Sequence, residues 1–217
     1  MDKGLQNLLL LAGAGVAIFA GWRVLAGEKD EDGPTPVPGG KRVVSLIGDS
    51  TIGGARLKGE IAERLVTGSK VHQFSYQGQE TKVILGHVGE ALAVRPTELV
   101  VLCGVNDVWN GRTTPEQTIS NLEAIYAAGR AAGARVIAVQ ILPWYGYKGG
   151  ISSGKKSATE VINMHIQVAS SADNIVITEG LGDSSGRLLD DYASDTGLHL
   201  NALGQEALAG MIVKQAF

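Results

Sequence analysis

The stretch Arg42 to Gly54, RVVSLIGDSTIGG, constrains the fold more than any other part of the chain. Val43, Val44, Leu46 and Ile47 form a near-continuous apolar run, the pattern of a β-strand buried on both faces. The run stops at Gly48-Asp49-Ser50, and a helical pattern of Leu57, Ile61 and Leu65 begins within a few residues. A strand, a tight glycine turn and a helix hold one residue at the carboxyl edge of a sheet, where open α/β folds bind their ligands. That residue is Ser50, and its hydroxyl becomes a nucleophile only with a base in hydrogen-bond reach.

Strand and helix signals alternate from Lys41 onward. The first helix is expected to run to about Val66, with Gly68 ending it. A shorter, more polar strand at Val71–Tyr76 reads as lying near a sheet edge, and Thr81–Leu92 reads as one helix. Glu98–Cys103 is a central strand. Thr114, Pro115 and Gln117 then spell a capped helix start, with Ile119, Leu122, Ile125 and Tyr126 as its buried stripe. Another buried strand follows at Arg135–Leu142, then a long loop from Pro143 to Lys156. Ser157 and Glu160 read as a capping box opening a helix through Ala169, Ile175–Thr178 as a short strand, and Asn201 as the cap of a final helix. Alternation with short connections implies a parallel sheet covered on both faces, a three-layer α/β/α domain of flavodoxin-like type.

This domain, residues 41–217, follows an appendage. Gly4 to Trp22 contains no charged residue. At about 1.5 Å per residue, such a helix would cross a hydrocarbon core. Gly13, Ala17 and Gly21 form a small-residue face, and Trp22 and Arg23 suit the interface. Residues 1–26 are therefore read as a transmembrane anchor. The alternative is a signal peptide cut before Gly27, with Val24 and Ala26 at the cleavage site. Residues 27–40 form a linker with charges first, then prolines, then glycines. The anchor reading places the domain outside the cytoplasm beside a membrane.

Composition excludes several function classes. A net charge of −3 with no long basic run gives no nucleic-acid surface. The single cysteine, Cys103, lies in an apolar run and reads as a buried hydrophobe. His72, His87 and His165 lack metal-ligand spacing, so no metal or cofactor is expected.

Three clusters fall on the same predicted edge as Ser50. They are Ser75-Tyr-Gln-Gly78 after the second strand, Gly104-Val-Asn106-Asp107 after the third, and Asp195-Thr-Gly-Leu-His199 before the last helix. In this order the blocks resemble the SGNH, or GDSL, hydrolase family across the whole folded domain. The resemblance implies an ester hydrolase in which Ser50 attacks an acyl carbonyl and His199 moves the proton. It also implies an oxyanion hole built from the backbone N–H groups of Ser50 and Gly78 and the side-chain amide of Asn106. The family usually places an aspartate three residues before the histidine, where this chain has Thr196. Either Asp195, four before, completes the triad, or the site runs as a Ser–His dyad.

Other signals are weaker. Gly150-Ile-Ser152-Ser-Gly154 and Gly182-Asp-Ser184-Ser-Gly186 match the G-x-S-x-G string, but neither lies between a strand and a clear helix, and both read as loops. Gly149 to Lys156 falls one residue short of a phosphate-binding loop, with Lys156 where Ser or Thr is required. Trp144, Tyr145 and Tyr147 are the expected substrate-binding aromatics, suited to sugar rings or acyl chains. The substrate read from this setting is an O-acyl group on a cell-envelope polysaccharide or peptidoglycan, with lipid acyl esters second. A membrane-anchored structural, adhesion or virion protein keeping only the fold, and a carbohydrate-binding module, are the non-enzymatic alternatives.

Overall fold

The computed structural model describes residues 40–194 and 196–217. The proposed anchor at Gly4–Trp22 and the carboxylate of Asp195 both lie outside these. Among the described residues no helix is long and apolar enough to cross a membrane.

Five parallel strands form one sheet: β1 (Val43–Gly48), β2 (Lys70–Ser75), β3 (Glu98–Leu102), β4 (Arg135–Val139) and β5 (Asn174–Val176). Their order, β2-β1-β3-β4-β5, is the flavodoxin-like one and puts the more polar β2 at an edge, although at six residues it is as long as β1 and not shorter as expected. The helices are α1 (Ala55–Arg64), α2 (Thr81–Gly86), α3 (Val88–Ala93), α4 (Val105–Asn110), α5 (Pro115–Ala131), α6 (Ser153–Val168) and α7 (Ala202–Ala216).

Strand side chains alternate between two cores. Ile47, Leu99, Val101, Val136 and Ala138 pack with α2 through α6, through residues such as Ile84, Ile119, Ile125 and Ile162. Leu46, Val100, Leu102, Ile137 and Val139 pack with α1 and α7, through Leu57, Ile61, Leu208 and Ile212. Strands buried on both faces need apolar residues at every position, which is why β1, β3 and β4 read as continuous runs.

Several local expectations are corrected. Thr81–Leu92 is not one helix but two, α2 and α3, meeting at His87 with φ −102° and ψ 1°. The apolar period continues across the break because Ile84 and Ala91 are both buried, while Gly86 and Gly89 weaken the helix between them. Ser157 does not cap the next helix. Ser152 does, its hydroxyl accepting from the Lys155 N–H at 3.3 Å, so Gly150–Gly154 leads into a helix instead of forming a loop. The block after β3, placed at a strand end with no helix assigned to it, opens the short helix α4. The caps at Thr114 and Asn201 are as expected: the capping box of α5 is complete, and Asn201 Oδ1 accepts from Gly204 N–H at 2.9 Å.

Candidate active site

Three strand ends lie level with one another, Gly48 opposite Ser75 on one side and Leu102 on the other. The chain leaves β1 toward β2 and later returns to place β3 on the far side, so a crevice opens above β1. Ser50 sits in it on a single 3₁₀ turn, Ser50–Ile52. Asp49 holds that turn: one carboxylate oxygen accepts from the Thr51 N–H at 2.9 Å and the Thr51 hydroxyl at 2.6 Å. From the edge strand, the Ser75 hydroxyl donates to the Asp49 carbonyl at 2.9 Å.

Asp49 is fully buried, and burial pushes its carboxyl up to about 6 against the two Thr51 bonds. Its second oxygen has no hydrogen-bond partner; the nearby Gly104 N–H does not complete a bond to it.

His199 arrives from the opposite end of the chain. Its loop is closed by an antiparallel bridge between Ala193 and Leu200, and the Ser194 N–H donates to the His199 carbonyl at 2.7 Å. Asn201 pins the loop to α7: while its Oδ1 caps the helix, its Nδ2 donates to the carbonyls of Asp191 and Ala193, at 2.8 and 3.1 Å. The result is a 2.8 Å contact between His199 Nε2 and Ser50 Oγ, across 149 residues of sequence. Partial burial lowers the pKa of the imidazole, favouring the neutral form that accepts a proton. The Thr196 hydroxyl is engaged within the loop, accepting from the Leu198 N–H at 3.3 Å and meeting Ser194 Oγ at 3.2 Å.

Gly78 and Asn106 face the same crevice. The turn from Tyr76 to Gln79 is closed by the Gln79 N–H on the Tyr76 carbonyl at 3.2 Å, and Gly78 adopts φ +71°. A Cβ there would meet nothing within 4 Å, so the glycine answers to its left-handed backbone and not to crowding in the unliganded protein. Asn106 Nδ2 donates to the Gln79 carbonyl at 3.1 Å, which leaves the second N–H of its amide for the crevice.

These groups line one cleft of about 270 Å³. Ser50, Gly78, Asn106 and His199 form its polar side, with Gln77 at the margin. Val105, Trp109, Trp144, Tyr147 and Leu198 form an apolar wall. Of the three expected aromatics, Trp144 is buried in this wall, its Nε1–H donating to the Thr159 hydroxyl at 3.1 Å, and Tyr147 lies beside it. Tyr145 is not part of the lining; its hydroxyl donates to the Lys156 carbonyl at 3.1 Å. Sequence reasoning missed Trp109. Its signal was there: on a helix, the position three residues after Asn106 shares a face with it.

The remaining serines of the G-x-S-x-G strings take other roles. Ser152 is the cap of α6, and Ser184 lies in a loop held by Asp183, which accepts from the Ser185 and Arg187 N–H groups. Cys103 is buried, as expected. Among the described residues no cluster of three or more His, Cys, Asp or Glu could hold a metal ion.

Comparison with known proteins places these features in a family context. The model of the GDSL-like lipase/acylhydrolase family matches residues 46–207. Among solved structures, a GDSL-like lipase from Bacteroides thetaiotaomicron superposes with a TM-score of 0.68 at 21% identity, covering 82% of this chain and 89% of its own. A lipase/acylhydrolase from Enterococcus faecalis gives 0.64 at 21% identity, with 80% and 94% covered. The psychrotrophic esterase EstA from Pseudoalteromonas sp., solved with monoethylphosphonate as inhibitor, gives 0.60 at 19% identity, with 80% and 95% covered. At these identities the structures share the fold. No curated protein matches the sequence.

Proposed function

The chain belongs to the GDSL-like lipase/acylhydrolase family, a family of ester hydrolases, and from that premise we propose a serine esterase working through an acyl-enzyme. The 2.8 Å contact between His199 Nε2 and Ser50 Oγ carries the reading. Ser50 Oγ attacks the ester carbonyl while its proton passes to His199 Nε2. Charge collects on the former carbonyl oxygen, met by the Ser50 and Gly78 backbone N–H groups and the free N–H of Asn106; losing one such donor costs about 3 kcal/mol in the transition state. Collapse breaks the bond to the alcohol oxygen, which leaves with the proton from His199. Water then attacks the acyl-Ser50 by the same route in reverse, releasing the acid and restoring the serine. Asp195 orients the imidazole in this scheme.

The substrate class is an O-acyl ester on a cell-envelope glycan, with residues 4–22 tethering the enzyme to the membrane that adjoins it. The motive is the apolar stretch and short linker ahead of the domain. Mass spectrometry of the mature protein tests the tether, since an N-terminus at Gly27 would mean that the segment is cleaved.

A fluorophosphonate probe tests the mechanism. Labelling should map to Ser50 and vanish, with turnover of p-nitrophenyl acetate, in a folded Ser50→Ala variant. Labelling that persists there and disappears in Ser152→Ala or Ser184→Ala would overturn the assignment.

A further inference from the structure

We infer that Trp109, wedged against Tyr147, Gly149 and Lys155, ends the acyl side of the cleft and restricts the enzyme to short acyl groups. This rests on the esterase reading above and adds what that reading leaves open, the size of the acid.

The direction in which the acyl group lies follows from the chemistry. His199 must hand its proton to the departing alcohol, so the alcohol leaves on the histidine's side. The acyl chain then takes the apolar wall of the cleft, past Asn106 and along α4, which contributes Val105 and Trp109 to that wall. On that helix Val105 precedes Asn106, and Trp109 follows it by three residues. At a rise of about 1.5 Å per residue, Trp109 stands about 4.5 Å along the axis from Asn106, within one turn. With C–C bonds of about 1.5 Å, that distance accommodates a chain of roughly two to four carbons before it meets the indole.

Trp109 is built as a wall, not as a gate. Its ring stands edge-on to Tyr147 with centroids 4.7 Å apart and to Trp144 at 6.3 Å. The Lys155 ammonium lies 3.7 Å from its ring centroid. The far end of the indole abuts the chain at Gly149, where a Cβ would fall 2.6 Å from Trp109 Cη2 and 2.7 Å from Tyr147. The loop after β4 and the first turn of α6 thus hold this one α4 ring from several sides. A cleft of about 270 Å³ must also contain the reacting ester itself. That is just below the ~300–1,000 Å³ of pockets taking drug-sized ligands.

The test is a chain-length series of p-nitrophenyl acetate, butyrate and octanoate on the full protein and on Trp109→Ala. For the unchanged protein kcat/KM should fall by at least ~10-fold from butyrate to octanoate, as expected when methylenes no longer fit a pocket. In Trp109→Ala the octanoate-to-acetate ratio should rise by at least ~10-fold. Should that variant fold poorly, Trp109→Leu replaces it, with a smaller rise in the same direction. A profile in the unchanged protein that climbs toward octanoate overturns the proposal whatever the variants do. So does a ratio unmoved by a folded variant. Absence of turnover and of fluorophosphonate labelling overturns the esterase reading and this inference with it, whereas labelling with a flat profile overturns only the acyl limit.

Discussion

Asp107 holds Thr81 with both carboxylate oxygens, Oδ2 accepting the Thr81 N–H at 2.9 Å and Oδ1 the Thr81 hydroxyl at 2.6 Å. The Thr118 hydroxyl adds a weaker bond to Oδ1 at 3.3 Å. The pair ties the turn after β2, which carries Gly78, to the helix after β3, which carries Asn106. The two groups proposed as side-on oxyanion donors are therefore tied together through the buried carboxylate. Burial raises its pKa, yet the Thr81 bonds favour its charged form.

Asp107→Ala should accordingly damage stability and rate together. Thr81 would keep a buried N–H without a partner and a hydroxyl proton without its acceptor, although Asn121 Nδ2 still donates to that hydroxyl at 3.0 Å; the cost is about 2–3 kcal/mol by urea unfolding. A shift of either donor by a fraction of an ångström should lower kcat by roughly 10–100-fold. Asp107→Asn, which keeps one acceptor, should fall between. If the folded fraction of Asp107→Ala turns over at the normal rate, the pair serves stability alone.

A second buried carboxyl makes stability depend on pH. Asp49 titrates at about 6 in the folded protein, against about 3.9 in an unfolded chain. Between those values the folded state binds more protons than the unfolded one, so stability falls as pH rises from about 4 to about 6 and then levels off. The contribution is on the order of 2–3 kcal/mol. In Asp49→Asn that part of the slope should vanish, so that the difference in unfolding free energy between pH 4 and pH 7.5 changes by about this amount relative to the parent. An unchanged slope would mean that the carboxyl titrates normally.

Asp195, not Thr196, should orient His199. The Thr196 hydroxyl is already spent on Leu198 and Ser194, and it carries no charge to stabilise an imidazolium. Asp195→Asn should lower kcat by at least ~100-fold with little change in KM. Without the carboxylate only burial acts on the imidazole, and burial lowers its pKa, so the acid limb of the pH–rate profile should move down. Thr196→Val should cost less than ~10-fold. Near-normal turnover in Asp195→Asn would leave a Ser–His dyad.

The sheet was legible because its central strands are buried on both faces: Val43 to Ile47, interrupted only by Ser45, with Leu99 to Leu102 and Val136 to Val139, are apolar runs of strand length. Ser50 and Asn106 were legible because each follows such a run, Gly78 because it follows the more polar edge strand, and His199 because it stands two residues before the cap of the last helix. Helix boundaries were less so. Ser152 and Ser157 both satisfy the chemistry of a cap, and only the path of the loop after β4 decides between them. Trp109 stayed hidden because the residues after β3, rich in Gly, Asn and Asp, have the composition of a turn, and a single turn of helix has no period to detect. Tyr145 was misplaced for a related reason: adjacent aromatics in a loop point to different surroundings, and sequence does not say which way.

The position of His199 has a consequence for how the protein is made. It lies just ahead of α7, in a loop clamped by the cap of that helix. All five strands and Ser50 precede it in the chain. During synthesis the sheet and its serine can form first, as N-terminal parts generally do, while no imidazole is yet in place to take a proton. Loss of α7 from a finished molecule would return it to that condition, since the Asn201 bonds that hold the loop depend on the helix. On the esterase reading, activity therefore reports that α7 has been made and is docked.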